Sequence, residues 1–165
     1  MNTAIRNKIK EYNEQYIKTP KNVLEIGSMY DTCGTRCVFN NARDYCGVDE
    51  EGGPSVDIVA DYHRLDRVFE YNPDVILCIK HLEKDTNPIQ TIDSAKELLA
   101  VNGFLVISTL MSTVGRSRSN RDFLRFLPDF YLNVFFKGLN VLDLCEVTDG
   151  KQSSICGIAM KAVTI

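Results

Sequence analysis

The chain has 165 residues, 44% of them hydrophobic and 25% charged, with a formal net charge of −3. That is the length of one domain with a real core and the composition of an ordinary soluble globular protein. The charge offers no bulk attraction to nucleic acid or anionic membrane. No apolar run approaches the roughly 20 residues that span a bilayer, and the opening "MNTAIRNKIKEYNEQYIK" lacks the apolar core of a signal peptide. The expectation is a cytoplasmic protein with no membrane insertion and no nucleic-acid partner.

In chain order, Ile5, Ile9, Tyr12 and Tyr16 stand at helical spacing, so 4–18 reads as an amphipathic helix. "NVLEIG" reads as a first strand, residues 33–39 as a short helix, "DYCGVD" (44–49) as a second strand and "SVDIVA" (55–60) as a third. "RLDRVF" suits a short helix. "PDVILCI" (73–79) is almost wholly apolar, as in a strand of a sheet covered on both faces. "PIQTIDSAKELLA" (88–100) places Ile89, Ile92, Ala95, Leu98 and Leu99 on one helical face. Asn102-Gly103 closes it, and "FLVIST" (104–109) is a fifth strand. The region 119–138 reads as helical. "LNVLDLCEV" and "SSICGIAMKAV" form a closing pair of strands around the turn "TDGKQ". Strands alternating with helices predict an α/β fold with a mainly parallel sheet. With no repeat, low-complexity tract or linker, residues 1–165 form a single domain.

The six cysteines include no Cys-x-x-Cys pair, and neither histidine lies near such a pair. That pattern predicts no metal site. Cys46, Cys78, Cys145 and Cys156 lie in strand-like apolar runs, where free cysteine packs as a small hydrophobe. Cys33 and Cys37 are one helical turn apart and read as helix residues.

In open α/β sheets ligands bind beyond the carboxyl ends of the strands. Here those ends read Glu25-Ile26-Gly27, Gly47-Val48-Asp49, Ala60-Asp61-Tyr62 and Ile79-Lys80-His81. Asp49 lies 22 positions after Gly27, and an acid about 20 residues past the glycine turn is placed to bind ribose hydroxyls. Met29, however, stands where a second glycine would let a pyrophosphate approach the backbone. A ribose ligand without phosphates, such as S-adenosylmethionine, fits this pattern better than a dinucleotide does. A bland reading stands beside each assignment: Glu25 and Asp49 as solvated strand ends, Asp61 as a helix cap, His81 as a structural histidine.

The chain resembles the class I S-adenosylmethionine-dependent methyltransferases, small methyltransferase-domain group, over nearly its whole length. "VLEIGS" is similar to the first motif. "YCGVDEEGGPSVDIVADYHRL" is similar to an acid-ended strand, a Gly-Pro loop and Val-Asp-x-Val-Ala-Asp. "PDVILCIKHLEKD" resembles the fourth-strand motif and "AKELLAVNGFLVIST" the helix and strand after it. "LPDFYLNVFFKGL" is similar to the segment before the last two strands. The resemblance implies a Rossmann-like three-layer sandwich, its seven-stranded sheet mainly parallel with an antiparallel C-terminal strand.

It also implies roles at matching positions. Gly27 and Ser28 would lie against the methionine part of S-adenosyl-L-methionine with Glu25 nearby. Asp49 would take the ribose hydroxyls, and Glu50, Asp61 and Tyr62 would surround adenine. Ile79, Lys80 and His81 would line the methyl-donor and substrate mouth. Three residues depart from the pattern: Met29 for a glycine, Glu50 for an apolar residue against adenine, and a basic Lys80. Methyl transfer from an activated sulfonium needs alignment first. A base is needed only where the acceptor holds a proton of high pKa, and His81 is the strand-end residue suited to that role.

The acceptor classes narrow by absence. No Asn-Pro-Pro-Tyr-like motif follows the fourth strand, no Pro-Cys pair supplies a cytosine nucleophile, and no target-recognition insertion is present. That leaves a small-molecule acceptor, or a partner that supplies specificity. "TVGRSRSNRDFLRF" carries Arg116, Arg118, Arg121 and Arg125 on the ligand side of the fifth strand, suited to an anionic acceptor or to a solvated basic loop. The reading is methyl transfer to a small, anionic acceptor. Its alternative is a S-adenosylmethionine-binding module that acts through a partner without catalysis.

Overall fold

The computed structural model describes residues 3–30, 34–111, 121–150 and 152–163. Seven strands form one sheet: β1 (Asn22–Ile26), β2 (Asp44–Asp49), β3 (Ile58–Val59), β4 (Val75–Ile79), β5 (Phe104–Leu110), β6 (Asn140–Asp149) and β7 (Gln152–Met160). Their order across the sheet is β3-β2-β1-β4-β5-β7-β6. The first five pair in parallel. β7 runs antiparallel to both neighbours. The helices are α1 (Thr3–Tyr12), α2 (Thr35–Val38), α3 (Pro88–Leu98) and α4 (Pro128–Phe130). α1 and α4 each run on into a turn of π-helix, at Asn13–Ile17 and Tyr131–Phe135.

The two-residue period of the strands sorts their side chains between two cores. Leu24, Ile26, Ile76, Leu105 and Ile107 face one side, with Ile92 and Ala95 of α3 and the rings of Tyr131 and Phe135. Val23, Val75, Leu77, Val106 and Ile158 face the other, where Ile5, Ile9 and Tyr12 of α1 cover them. The result is the three-layer arrangement expected, with the antiparallel strand at the C-terminal side. α1 docks by polar contacts as well. Tyr12 donates its hydroxyl to the Cys156 carbonyl at 3.2 Å, and Lys8 pairs with Asp143 of β6 at 3.0 Å. Among the described residues no helix is long and apolar enough to cross a membrane.

Several predicted bounds change, each for a local reason. The third strand, expected over 55–60, pairs only at Ile58 and Val59. Upstream of them Val56 turns back to Gly53 at 3.1 Å, and Asp57 bonds Gly47 through both main chain and carboxylate. The helix expected over 64–69 is a 3-10 stretch at Tyr62–Arg67, capped by Asp61. Ile89, expected on the buried face of α3, is 46% exposed. The helix expected over 119–138 is confined to 128–135 among the described residues. Pro128 starts it, as proline favours the first helical position, and the N–H groups of Phe123 and Leu124 are taken by the Glu83 carbonyl at 2.8 and 3.2 Å. Gly150 turns the chain between β6 and β7 at φ +60°. Cys37, Cys46, Cys78, Cys145 and Cys156 are free thiols; Cys33 lies outside the described residues.

Leu24 lies at the centre of the parallel sheet and is fully buried. Leu24→Ala should therefore destabilise the protein by about 3 kcal/mol, the usual cost of a buried leucine truncation. Urea unfolding with an unchanged slope and a lowered midpoint is the expected result, and an unshifted midpoint would contradict this core.

Candidate functional site

The carboxyl ends of β1, β2 and β4 converge on one crowded point. Gly27 turns the chain off β1 at φ +76°, a conformation that costs a side-chain-bearing residue. Its N–H is held by the Val48 carbonyl of β2 at 2.9 Å. A Cβ at this position would overlap the His81 ring. His81 has entered from the exit of β4, is 8% exposed, and meets the Tyr62 ring edge-on at 4.5 Å. Burial holds its imidazole below the usual histidine range, and Nε2 has no hydrogen-bond partner among the described residues. Ser28, next along the turn, is also buried with an unpartnered hydroxyl. Gly47 leaves room for it, since a Cβ there would meet Ser28 and the Ser55 carbonyl.

The acids around this point are each held differently. Glu25 is buried and accepts from the Thr35 hydroxyl and from Tyr45 at 2.7 Å. It is therefore not a solvated strand end. Asp49 is half-buried and accepts from the N–H groups of Met29 and Glu51, each at 3.3 Å, so it joins the loops after β1 and β2. Glu50 is exposed. Asp61 caps the 3-10 turn by accepting from the His63 N–H at 2.9 Å, and that bond keeps its carboxyl below the usual range. Tyr62, behind it, is buried. Ile79 ends β4 half-buried.

Two residues that the sequence did not single out complete this side. His63 lies between carboxylates, with Nδ1 at 3.0 Å from Asp61 and Nε2 at 3.0 Å from Asp85. Asp85 is buried and accepts also from the Asn87 N–H and the Thr91 hydroxyl. Ligand atoms of Glu50, Asp61 and His63 lie within 4.8 Å of one another. The sequence signal for Asp85 was present but slight: an acid shortly before the Pro88 that begins α3.

On the other side stand the residues after β4 and β5. Lys80 is in the left-handed region at φ +52°, with its N–H on the Ser108 carbonyl at 2.7 Å. Non-glycine residues held there concentrate at functional sites. Lys80 is half-buried, forms no ion pair among the described residues, and is lowered in pKa by burial. Glu83 is 2% exposed. One of its carboxylate oxygens accepts from the Leu110 N–H at 2.6 Å, while the other has no partner. Arg121 pairs with Glu51 at 3.1 Å, reaching from the β5 side to the loop after β2. Arg116 and Arg118 lie outside the described residues. Arg125 grips Asp122 through two nitrogens.

Two outcomes follow. Gly27→Ala should destabilise by about 1–3 kcal/mol, the range for strained backbone sites. Because the His81 ring is the obstacle, Gly27→Ala/His81→Ala should lose clearly less than the sum of the single losses in denaturant unfolding; strict additivity would show that the two do not touch. Acid provides the second. A buried neutral histidine has a folded pKa below its unfolded value, so its contribution is present above about pH 6.5 and is lost as pH falls toward the folded value. Wild type should lose more stability than His81→Gln between pH 7.5 and 5.5, and equal losses would remove His81 as the group responsible.

No protein-family model and no curated protein matches the chain. Solved structures do. The N-methyltransferase NodS from Bradyrhizobium japonicum WM9 superposes with TM-score 0.71 at 12% identity, covering 98% of this chain and 99% of that one. The 1,6-didemethyltoxoflavin-N1-methyltransferase of Burkholderia thailandensis, solved with 1,6-didemethyltoxoflavin and S-adenosylhomocysteine bound, gives TM-score 0.77 at 16% identity, covering 98% and 79%. The [4+2]-cyclase SpnF gives 0.72 at 13% identity, covering 96% and 82%. At such identities the likeness is one of fold. The chain has the Rossmann-like fold of the class I S-adenosylmethionine-dependent methyltransferases.

Proposed function

We propose that the protein binds S-adenosyl-L-methionine at the carboxyl ends of β1 and β2 and directs methyl transfer to a small, anionic acceptor at the exits of β4 and β5. The observation that carries this reading is the Gly27 turn, pressed against the His81 ring with Asp49 of the neighbouring strand facing the same loop. A cradle that excludes a Cβ, beside unpartnered polar atoms of Ser28 and His81, fits a ligand that approaches the main chain closely. Solved neighbours of the same fold bind S-adenosylhomocysteine. The cofactor supplies an activated methyl group on a sulfonium.

The chain's own residues do the rest. Gly27 and Ser28 border the amino-acid tail. Glu25, buried and negative, favours that tail's cationic groups from beneath. Asp49 accepts ribose hydroxyls in exchange for its long bonds to Met29 and Glu51, and Glu50, Asp61 and Tyr62 surround the adenine. Ile79, Lys80 and His81 wall the donor end. Lys80 offers a half-buried positive charge to an anionic group, and Arg116, Arg118 and Arg121 are further candidates to pair with that group. The buried His81 is neutral near pH 7, and a neutral imidazole can accept a proton. The fold also supports a cyclase, and site chemistry rather than fold decides activity.

Calorimetry with S-adenosylhomocysteine tests the reading. Saturable one-to-one binding is expected, weakened by about 1–3 kcal/mol in Asp49→Ala, the cost of stranding hydrogen-bonded groups. Absence of binding to the wild type would end the methyltransferase reading. Undiminished affinity in Asp49→Ala would end the ribose assignment alone.

A further inference from the structure

Glu83 is a buried acid without a complete set of partners. It follows β4 by four residues. Its carboxylate reaches the Leu110 N–H at the carboxyl end of β5, the strand beside β4. It therefore sits over the β4–β5 edge, on the same strand exit as Lys80 and His81. Its second oxygen is buried and accepts no hydrogen bond among the described residues, although the carboxyl as a whole is also favoured by its own main-chain N–H. Leaving a carboxylate oxygen desolvated and unpaired is costly, more so than for a neutral group.

The surrounding groups do not meet that need. Lys80 and Lys84 from its own loop, and Arg125 from the segment after β5, contribute favourable fields. None of them forms an ion pair with it, and Arg125 holds Asp122 instead. The buried Tyr131 hydroxyl is paired with Thr109 at 2.7 Å. The net effect is dominated by burial, which raises the carboxyl above its usual range. A desolvated anion of this kind selects a cationic donor over a neutral one, because only the cation pairs the buried charge as well as donating a hydrogen bond.

We propose that Glu83 binds the methyl acceptor through a protonated amine seated on its second carboxylate oxygen, while Lys80 takes the acceptor's anionic group. The acceptor class is thus a small zwitterionic amine. This assignment rests on the methyltransferase reading and narrows it. The step balances. The acceptor ammonium gives one proton to the Glu83 carboxylate, and the freed nitrogen lone pair bonds to the methyl carbon. The carbon–sulfur bond breaks with its electron pair going to sulfur, which becomes a neutral thioether. The N-methyl product leaves as a cation, and Glu83 returns its proton to water. Entry requires the segment 121–127 to move off Glu83. That segment has neither helix nor strand along its length; moving it breaks the two bonds from the Phe123 and Leu124 N–H groups to the Glu83 carbonyl, while the Arg121–Glu51 pair at its start is exposed on both sides.

Matched probes test the proposal by binding, without turnover. The protein saturated with S-adenosylhomocysteine is titrated with β-alanine, taurine and O-phosphoethanolamine, and with 3-hydroxypropionate, isethionate and 2-hydroxyethyl phosphate. Each pair differs only in amine against hydroxyl. At least one amine should bind saturably and at least tenfold more tightly than its hydroxyl partner. Glu83→Gln keeps an oxygen for the Leu110 N–H and should erase that preference, with S-adenosylhomocysteine affinity held within about twofold. No amine binding, or equal binding of amine and hydroxyl in the wild type, would overturn the assignment whether or not the variant folds. So would a preference that survives in folded Glu83→Gln. Failure to bind S-adenosylhomocysteine at all would instead overturn the underlying reading, and the assignment with it.

Discussion

The contact between the Gly27 main chain and the His81 imidazole sets the shape of the whole ligand edge. β1 and β4 are neighbours in the sheet, so their exits compete for one volume. Two departures from ordinary backbone resolve that competition. Gly27 gives up a side chain and turns left-handed, and Lys80 turns left-handed although it carries one. Between them the ring of His81 fills the gap and Tyr62 closes over it. The exit of β2 is shaped by the same demand, since Gly47 yields its side-chain space to Ser28 and the Ser55 carbonyl. A packed interior tolerates few alternatives at such a point, so the loops that carry Asp49, Asp61 and Glu83 are held at fixed places.

Around that point the acids form a wall whose members differ in what they can still accept. Glu25 and Asp85 are buried with donors on both oxygens. They are fixed charges that shape a field without offering a contact. Asp49 and Asp61 retain solvent and lend themselves to exchange with a ligand's hydroxyls or amines. Glu83 is buried like the first pair but only half satisfied. Acids predominate along β1–β3, where Arg36 pairs with Asp57 and Arg64 lies 4.0 Å from Asp61. Lys80, Lys84 and Arg125 bring positive charge to the β4–β5 side. Focused fields of this sort raise local ligand concentration more than they alter stability.

Much of the fold was legible in the sequence because its signals are local. Alternation marks the strands, and apolar spacing marks α1 and α3. An acid and a glycine at the ends of β1 and β2 marked where ligand chemistry belongs. What failed to show was non-local. Residues 121–127 carry helix-compatible side chains, yet two of their N–H groups go to Glu83, some 40 positions earlier in the chain. β3 is short because Asp57 spends both its main chain and its carboxylate on Gly47. His63 gains its second carboxylate from Asp85, which only the turn after β4 brings near. Glu83 looked like one charge in "HLEKD" because burial, its distinguishing property, comes from β5 and the segment beyond it. Asp61 shows the limit of motif reading, since the structure gives its carboxylate the work of a helix cap.

The two halves of the edge carry different kinds of information. The exits of β1, β2 and β3 present a glycine turn and acids. The exits of β4 and β5 present Lys80, His81 and Glu83 close to the segment 121–127, whose Phe123 and Leu124 N–H groups bond the Glu83 carbonyl. In this chain that segment is anchored unequally. Phe126 is buried and stacks at 5.0 Å from Phe135 and 5.3 Å from Phe130, an aromatic cluster worth several buried contacts. At the other end Arg121 and Glu51 form an exposed pair, and such pairs contribute about 0–1 kcal/mol. Phe123 between them stays half in solvent. The Phe126 end of the segment is therefore fixed by buried apolar contact, whereas the Arg121–Glu51 contact is a solvated one.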